Sequence, residues 1–547
     1  MLKKHALPLV TLIIIGIFGT KALLQPGFFS SHDGEHQLVR QYIFDRAIKA
    51  GHIPPRFDRQ LYNHLGYPLF TFTYQLPFWI GEGFMSMGFS IPNAVKATFI
   101  LTYILSGITM YVFTQERWGK LGGLMAAFLY LWAPYRFLSI FVRASLGEHT
   151  AFIFLPLLLW ALSRPTRVRL TVGSISIFGL LLSHSMFAQL SAMPIILFWL
   201  AEFWQQKNKK FFILHSSFII LLGLGLSAYY LIPAMYYRSA IQGLNSTFYA
   251  EHFVTLKQLI YSKWGYTFSF FGENDGMSFQ IGFAQWIAMA LGVGIILKDI
   301  PKKLHRPALA LVASFIVSIF LMTDPSSKIW EQAVKKWFVI DLPWRFLAIS
   351  TFTTSAMAAF VVSNLRNKLS KAIFCVFLFS IALYTNRNHL RINERLDFDH
   401  NWFTSYTGTS NSYDEYKPVS TSQDLLKQPP LPAVTIEKGI ADVHVIDDKP
   451  QRLFFDLDAK TDINGRINTV YFPGWQIYIN GAPGDISQLT QGVPALRLPP
   501  GRYNIMLTYE QTNITLAAEL ISLASSAIVA IIIIYDQIKR HRRHAGI

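Results

Sequence analysis

The sequence predicts an α-helical polytopic membrane protein of about twelve transmembrane helices, joined to a C-terminal β-sandwich-like domain outside the membrane. Three observations carry this. Apolar runs near membrane length recur along the 547 residues, which are 52% hydrophobic and only 15% charged. Short clusters of Lys and Arg fall on alternate loops, as expected where positive residues stay cytoplasmic. Finally, residues 441–509 alternate apolar and polar side chains between turn-forming residues.

The first run, Ala6 to Leu24, follows Lys3 and Lys4 and lacks a good small-residue cleavage site at Gly19-Thr20-Lys21-Ala22, so it is expected to be a retained anchor. Further runs are Ala94–Phe113, Leu121–Tyr135, His149–Leu162, Leu170–His184, Met186–Trp204 and Phe211–Ala234. Ile281–Leu297, Ala308–Met322, Leu342–Val362, Ala372–Tyr384 and Ile514–Tyr535 complete the set. The loops expected inside carry Arg117 and Lys120; Arg164, Arg167 and Arg169; Lys207, Lys209 and Lys210; Lys298, Lys302, Lys303 and Arg306; and Arg366, Lys368 and Lys371. The tail Lys539-Arg540-His541-Arg542-Arg543 falls on the same side, and Lys335-Lys336 is the exception. Tyr67–Ser90 is apolar too, but counting it as a crossing would put every later basic cluster outside. Parity favours a re-entrant or interfacial segment.

Residues 1–385 are thus expected to form the membrane domain, including a first outer loop at 25–93. Residues 386–511 should form an extracytoplasmic β domain, and 512–547 a last helix with a basic cytoplasmic tail. Strands are expected at Ala441–Ile446, Arg452–Leu457, Asn468–Phe472, Trp475–Ile479 and Tyr503–Tyr509. The +17 formal charge is spread over loops where it sets topology, and no contiguous basic face is present, which argues against nucleic acid. The one cysteine, Cys375, lies in an apolar run, so neither an intrachain disulfide nor a multi-cysteine metal site can form.

The residues able to do chemistry gather at the outer ends of these helices. Asp33, Glu35 and His36 follow the first run within His32-Asp33-Gly34-Glu35-His36. From Glu35 to Ala50, the apolar residues Leu38, Val39, Tyr42, Ile43 and Ala47 recur at helical spacing, while Phe44 and Ile48 fall off that face. This suggests a helix along the membrane surface on which Glu35 or His36 could pair with Arg40. Arg56, Arg143, Glu148, His149, His184 and Arg345 are expected at the same level. Each has a plainer alternative as a solvated loop residue or interfacial anchor, but convergence at one depth favours a polar cavity. Trp475 could stack on a sugar; as the core tryptophan of a small sandwich it would need no such role.

The order of several motifs resembles the GT-C superfamily of integral-membrane glycosyltransferases, and more narrowly the YfhO-like and 6-pyruvoyl-tetrahydropterin synthase-related bacterial membrane proteins. These motifs are Asp33-Gly34-Glu35-His36, Gly51-His52-Ile53-Pro54-Pro55-Arg56, Gly66-Tyr67-Pro68-Leu69-Phe70, Pro134-Tyr135-Arg136, Arg143 to Glu148, Ser183-His184, Pro343-Trp344-Arg345-Phe346 and Tyr471 to Trp475. The resemblance implies a polyprenyl-phosphate-linked sugar as donor, a glycan, lipid or protein acceptor, and a bacterial inner-membrane location with both termini cytoplasmic. It implies Asp33 as general base, with Arg143 and Arg345, then Arg56 and Arg40, for the lipid phosphate. A carboxylate can take the proton of an attacking hydroxyl, and guanidinium forks suit phosphate oxygens. Glu35, His36, or Glu148 with His149 could position acceptor hydroxyls or bind a divalent cation, although Asp33 and Glu35 supply no clear third ligand. A transporter or flippase of lipid-linked saccharides and a non-catalytic envelope scaffold remain alternatives; the scarcity of charge at helix centres argues against the transporter.

Overall fold

Side-chain caps explain where several helices begin. Thr166 accepts from the Arg169 amide, Asn208 from Phe211 and Asn367 from Ser370, and these bonds open Arg167–Ser183, Lys209–Leu226 and Lys368–Asn386. The computed structural model describes residues 2–243, 248–270, 275–298, 306–336, 340–411, 414–422, 425 and 431–544. Lys302 and Lys303 lie outside them. All twelve expected apolar runs are largely helical. Among the described residues, however, only six helices are long and apolar enough to cross a membrane, or seven if Arg306–Met322 and Asp324–Ala333, bent by 89°, make one span. The shortfall has two causes. Several runs are short, such as His5–Gly19 and Phe283–Lys298, and two others merge in Ile91–Leu131, which is broken at Gly119 (φ 79°). That break makes a hairpin, because Tyr103 Oη donates to the Leu131 carbonyl and Gly123 abuts Gln115. Outward-facing apolar side chains such as Leu7 (78% exposed) and Leu523 (65%) give the helices a lipid-compatible exterior.

The helix expected at 35–50 forms at Gly34–Lys49, but protein encloses more than its expected apolar face. Phe44, Gln37, Gln41 and Asp45 are buried along with Leu38, Val39, Ile43 and Ala47. The off-face residues are covered because other chain segments close over them: Phe44 packs on Phe70, Phe78 and Trp79, and the Gln41 amide donates to the Phe78 carbonyl. Tyr67–Ser90 breaks into Leu69–Phe72 and Leu76–Ser86, each too short to cross.

Nine strands occur within 434–509, in two antiparallel sheets. One has the order Val434–Lys438, Ile463–Ile467, Val493–Leu498, Leu489–Thr490; the other runs Ala441–Lys449, Arg452–Ala459, Gly501–Tyr509, Trp475–Ile479, Ala482–Pro483. Four of the five expected strands are present, whereas Asn468–Phe472 is irregular. Its alternation reflects burial of Val470 and Phe472 after the strand has ended. Trp475 is 1% exposed and packs edge-on against Phe57 of the first loop, so it serves the core and offers no sugar platform. Phe57 also meets Tyr509, fastening the β domain to that loop.

Candidate functional site

Three helix starts and one loop converge on a buried ionic cluster. Glu148 stands in the first turn of Leu146–Ala151, Arg345 just ahead of Leu347–Asn364, and His184 caps Ser185–Phe203. Arg143 lies in the turn between Leu138–Val142 and Leu146. The Glu148 carboxylate accepts from Arg143 Nη1 at 2.8 Å and Arg345 Nη1 at 3.3 Å, and the Tyr135 hydroxyl also donates to it. Arg345 turns its other edge to Asp341, with Nε to Oδ1 at 2.7 Å and Nη2 to Oδ2 at 3.0 Å. Both guanidinium groups flank the Trp344 ring, at 4.8 and 5.5 Å from its centroid. Two arginines and two carboxylates thus neutralise one another, which makes burial of the four charges tolerable. Burial pushes the Asp341 carboxyl up, but the Arg345 charge and hydrogen bonds outweigh it and hold the group below the usual carboxylate range.

Asp33 sits at the edge of this cluster with a different status. Its amide donates to the Arg143 carbonyl at 3.0 Å, and the His32 amide donates to Val142 at 3.0 Å, so the loop is tied to the arginine's own backbone. Aspartate at a helix N-cap normally turns its carboxylate back onto the first-turn amides. Asp33 occupies the N-cap of Gly34–Lys49 and makes no such bond. Its charge is instead felt by Arg143, Tyr74, His32 and His36. Burial pushes both histidines below their ordinary value. His32 stacks on Phe268 at 4.5 Å and its Nε2 lies 3.2 Å from the Thr267 carbonyl, which brings a later loop onto the residue before Asp33.

The structure therefore brings Asp33, Arg143, Glu148 and Arg345 together, with His184 behind Tyr74 at 5.4 Å between ring centroids. The others separate. His149 is fully buried but faces Arg136, Phe99 and Tyr103, and so belongs to the helix core. Arg40 donates to the Ser410 carbonyl at 2.5 Å and to Asn411 at 2.8 Å, pairing with neither Glu35 nor His36. The connector that follows the helices supplies those acceptors, which helical spacing could not reveal. Arg56 meets Glu519 at 2.8 Å and the Tyr229 carbonyl at 3.1 Å, well removed at the foot of the β domain. Glu35 is exposed, and His36 is half-buried beside Asp33. Among the described residues, no group of three His, Cys, Asp or Glu is placed to hold a metal ion.

Sequence reasoning missed Asp341 and Tyr74, and it named Tyr135 only within Pro134-Tyr135-Arg136, without a role at the site. Asp341 had a usable signal, standing four residues before Arg345. Tyr74 had none: it reaches the site because Gly147 has no side chain, where a Cβ would fall 2.3 Å from the tyrosine Cζ.

No protein-family model matches the chain. An uncharacterized protein of Lactococcus lactis subsp. cremoris is 24% identical over 243 residues, and the chain spans only 39% of that relative's length. Among solved structures, the chain is similar to the arabinofuranosyltransferase AftD from Mycobacteria (11% identity, TM-score 0.49), covering 73% of this chain and 28% of that one. It is also similar to ArnT from Cupriavidus metallidurans, solved bound to undecaprenyl phosphate (12%, TM-score 0.42, covering 71% and 64%). The oligosaccharyltransferase of Archaeoglobus fulgidus scores 0.40 at 12% identity, covering 74% of this chain and 54% of that one.

Proposed function

We propose that the chain is a GT-C-type membrane glycosyltransferase that moves a sugar from a polyprenyl-phosphate donor to an acceptor hydroxyl at the extracytoplasmic face. The observation that carries this reading is the division of labour between two carboxylates. Glu148 is saturated by Tyr135, Arg143 and Arg345 and serves as a fixed counter-ion. Asp33 keeps its carboxylate clear of the helix it caps and is anchored beside Arg143. A group placed so can accept the acceptor's hydroxyl proton as the new bond to the anomeric carbon forms. The bond from that carbon to the phosphate oxygen breaks, and polyprenyl phosphate departs with its charge. Arg143 is the residue for that phosphate, because its Nε has no carboxylate partner. Arg345 is engaged along both edges by Asp341 and Glu148, and acts by positioning Glu148 and through it Arg143.

The test is Asp33→Asn in the full chain, reconstituted with a polyprenyl-phosphate sugar and assayed for covalent transfer. Transfer should fall by about two to four powers of ten, with thermal stability within about 0.5 kcal/mol of the parent. Unchanged transfer would reject Asp33 as base. Translocation of labelled lipid without covalent transfer would replace the enzyme reading by the flippase.

A further inference from the structure

A second polar chamber lies at the other end of the same helices. Leu347–Asn364 begins beside Arg345 and ends with Ser363 and Asn364 in the chamber wall; Ser185–Phe203 begins beside His184 and brings Glu202 to that wall. The 18-residue Leu347–Asn364 alone is roughly 27 Å long, so the two places lie near opposite faces of a bilayer. The cavity holds about 790 Å³.

Its walls are built rather than incidental. Arg117 pairs with the buried Glu202 at 2.7 Å and lies over the Phe198 ring at 5.0 Å. Arg169 closes on Glu116 with Nη2 2.7 Å from Oε1, and the Trp160 indole donates to the same carboxylate at 2.8 Å. Both carboxylates are thereby answered by a close arginine. Arg164, at the rim, is left over: its nearest carboxylate contact is Glu116 at 3.5 Å, and its side chain is 69% exposed. Three arginines against two glutamates leave positive charge in excess. Ser163, Thr166, Gln205 and Asn364 add neutral hydrogen-bonding groups. Beside the chamber, Trp204 is 60% and Leu200 40% exposed, an apolar surround suited to acyl chains. Interfacial depth, one surplus guanidinium and several hydroxyl and amide groups together match a singly charged phosphodiester headgroup that carries hydroxyls.

We propose that this chamber binds the anionic headgroup of a glycerophospholipid from the leaflet opposite the Asp33 cluster. Arg164 contacts the phosphate, and the neutral side chains meet the headgroup hydroxyls. The proposal is independent of the transferase reading.

Native mass spectrometry of the detergent-solubilised full chain, titrated separately with phosphatidylglycerol and phosphatidylcholine, tests it. Phosphatidylglycerol should be retained about tenfold better, a preference lost in Arg164→Glu and kept in Arg167→Glu, an exposed arginine at the start of Arg167–Ser183 that lies over Tyr535 outside the cavity. Ser363→Trp, which crowds the chamber from its wall, should lower retention without reversing any charge. Equal retention of the two lipids would overturn the proposal. So would equal losses in the two arginine variants, or full retention in Ser363→Trp. Displacement by soluble glycerol phosphate at the lipid's own concentration would assign the chamber to a free phosphate ester and likewise overturn it.

Discussion

The Asp33 amide donates to the Arg143 carbonyl at 3.0 Å, so an acid and an arginine separated by 110 positions share one backbone unit. Neither can shift without the other. The arginine is further held through Glu148, on which the side chains of Arg143 and Arg345 meet.

Glu148→Ala should therefore harm the fold as well as the chemistry. It leaves two buried guanidinium groups without their shared counter-ion, a change that typically costs about 3–5 kcal/mol. Thermal denaturation in detergent should show a large loss, in contrast to the near-silent Asp33→Asn. Equal stabilities for the two variants would contradict the assigned roles.

Gly147→Ala should lower both stability and activity. The new Cβ would stand 2.3 Å from Tyr74 Cζ and 2.4 Å from the Ser183 carbonyl oxygen. Overpacking of this kind costs about 1–3 kcal/mol. Because one of the two clashes is with backbone, trimming Tyr74 to Leu should restore only part of the loss. Complete rescue by Gly147→Ala/Tyr74→Leu would show that the tyrosine alone sets the constraint.

Phe57→Ala should release the β domain. Phe57 is 2% exposed and wedges among Trp475, Tyr509 and Phe472. Removing a buried phenyl ring costs about 3–5 kcal/mol. Limited proteolysis should then cut between the last strands and the final helix at a rate that leaves the parent intact.

Docking of the β domain should also weaken in acid. His52 Nε2 accepts from the Arg56 amide at 3.0 Å, and its ring lies 5.8 Å from that of Tyr509. Burial, assisted by the Arg56 charge, pushes the imidazole from 6.5 down to about 4. The unfolded chain therefore binds the extra proton first. Stability is complete above the ordinary value, falls as the pH drops from 6.5 toward 4, and levels off below it. The loss reaches about 3 kcal/mol at most. His52→Gln should flatten this part of the pH–stability curve, and an unchanged slope would exclude His52 as its source.

The sequence by itself determined the helices and most strands of the β domain, because those follow from local periodicity. All twelve apolar runs are largely helical, and Trp475–Ile479 alternates as a strand should. Tertiary structure alone decided what each charge does. Arg143, Arg345 and Glu148 share one expected depth, but only packing set both arginines on one carboxylate and turned His149 toward Arg136. Arg40 and Arg56 carry the same charge as Arg143, yet the connector and the final helix claim them through Ser410 and Glu519. Depth depends on hydropathy summed along the chain, whereas an ion pair depends on a few ångströms between residues far apart in sequence. That is why one chain supports an expected level for the site but does not single out its working members.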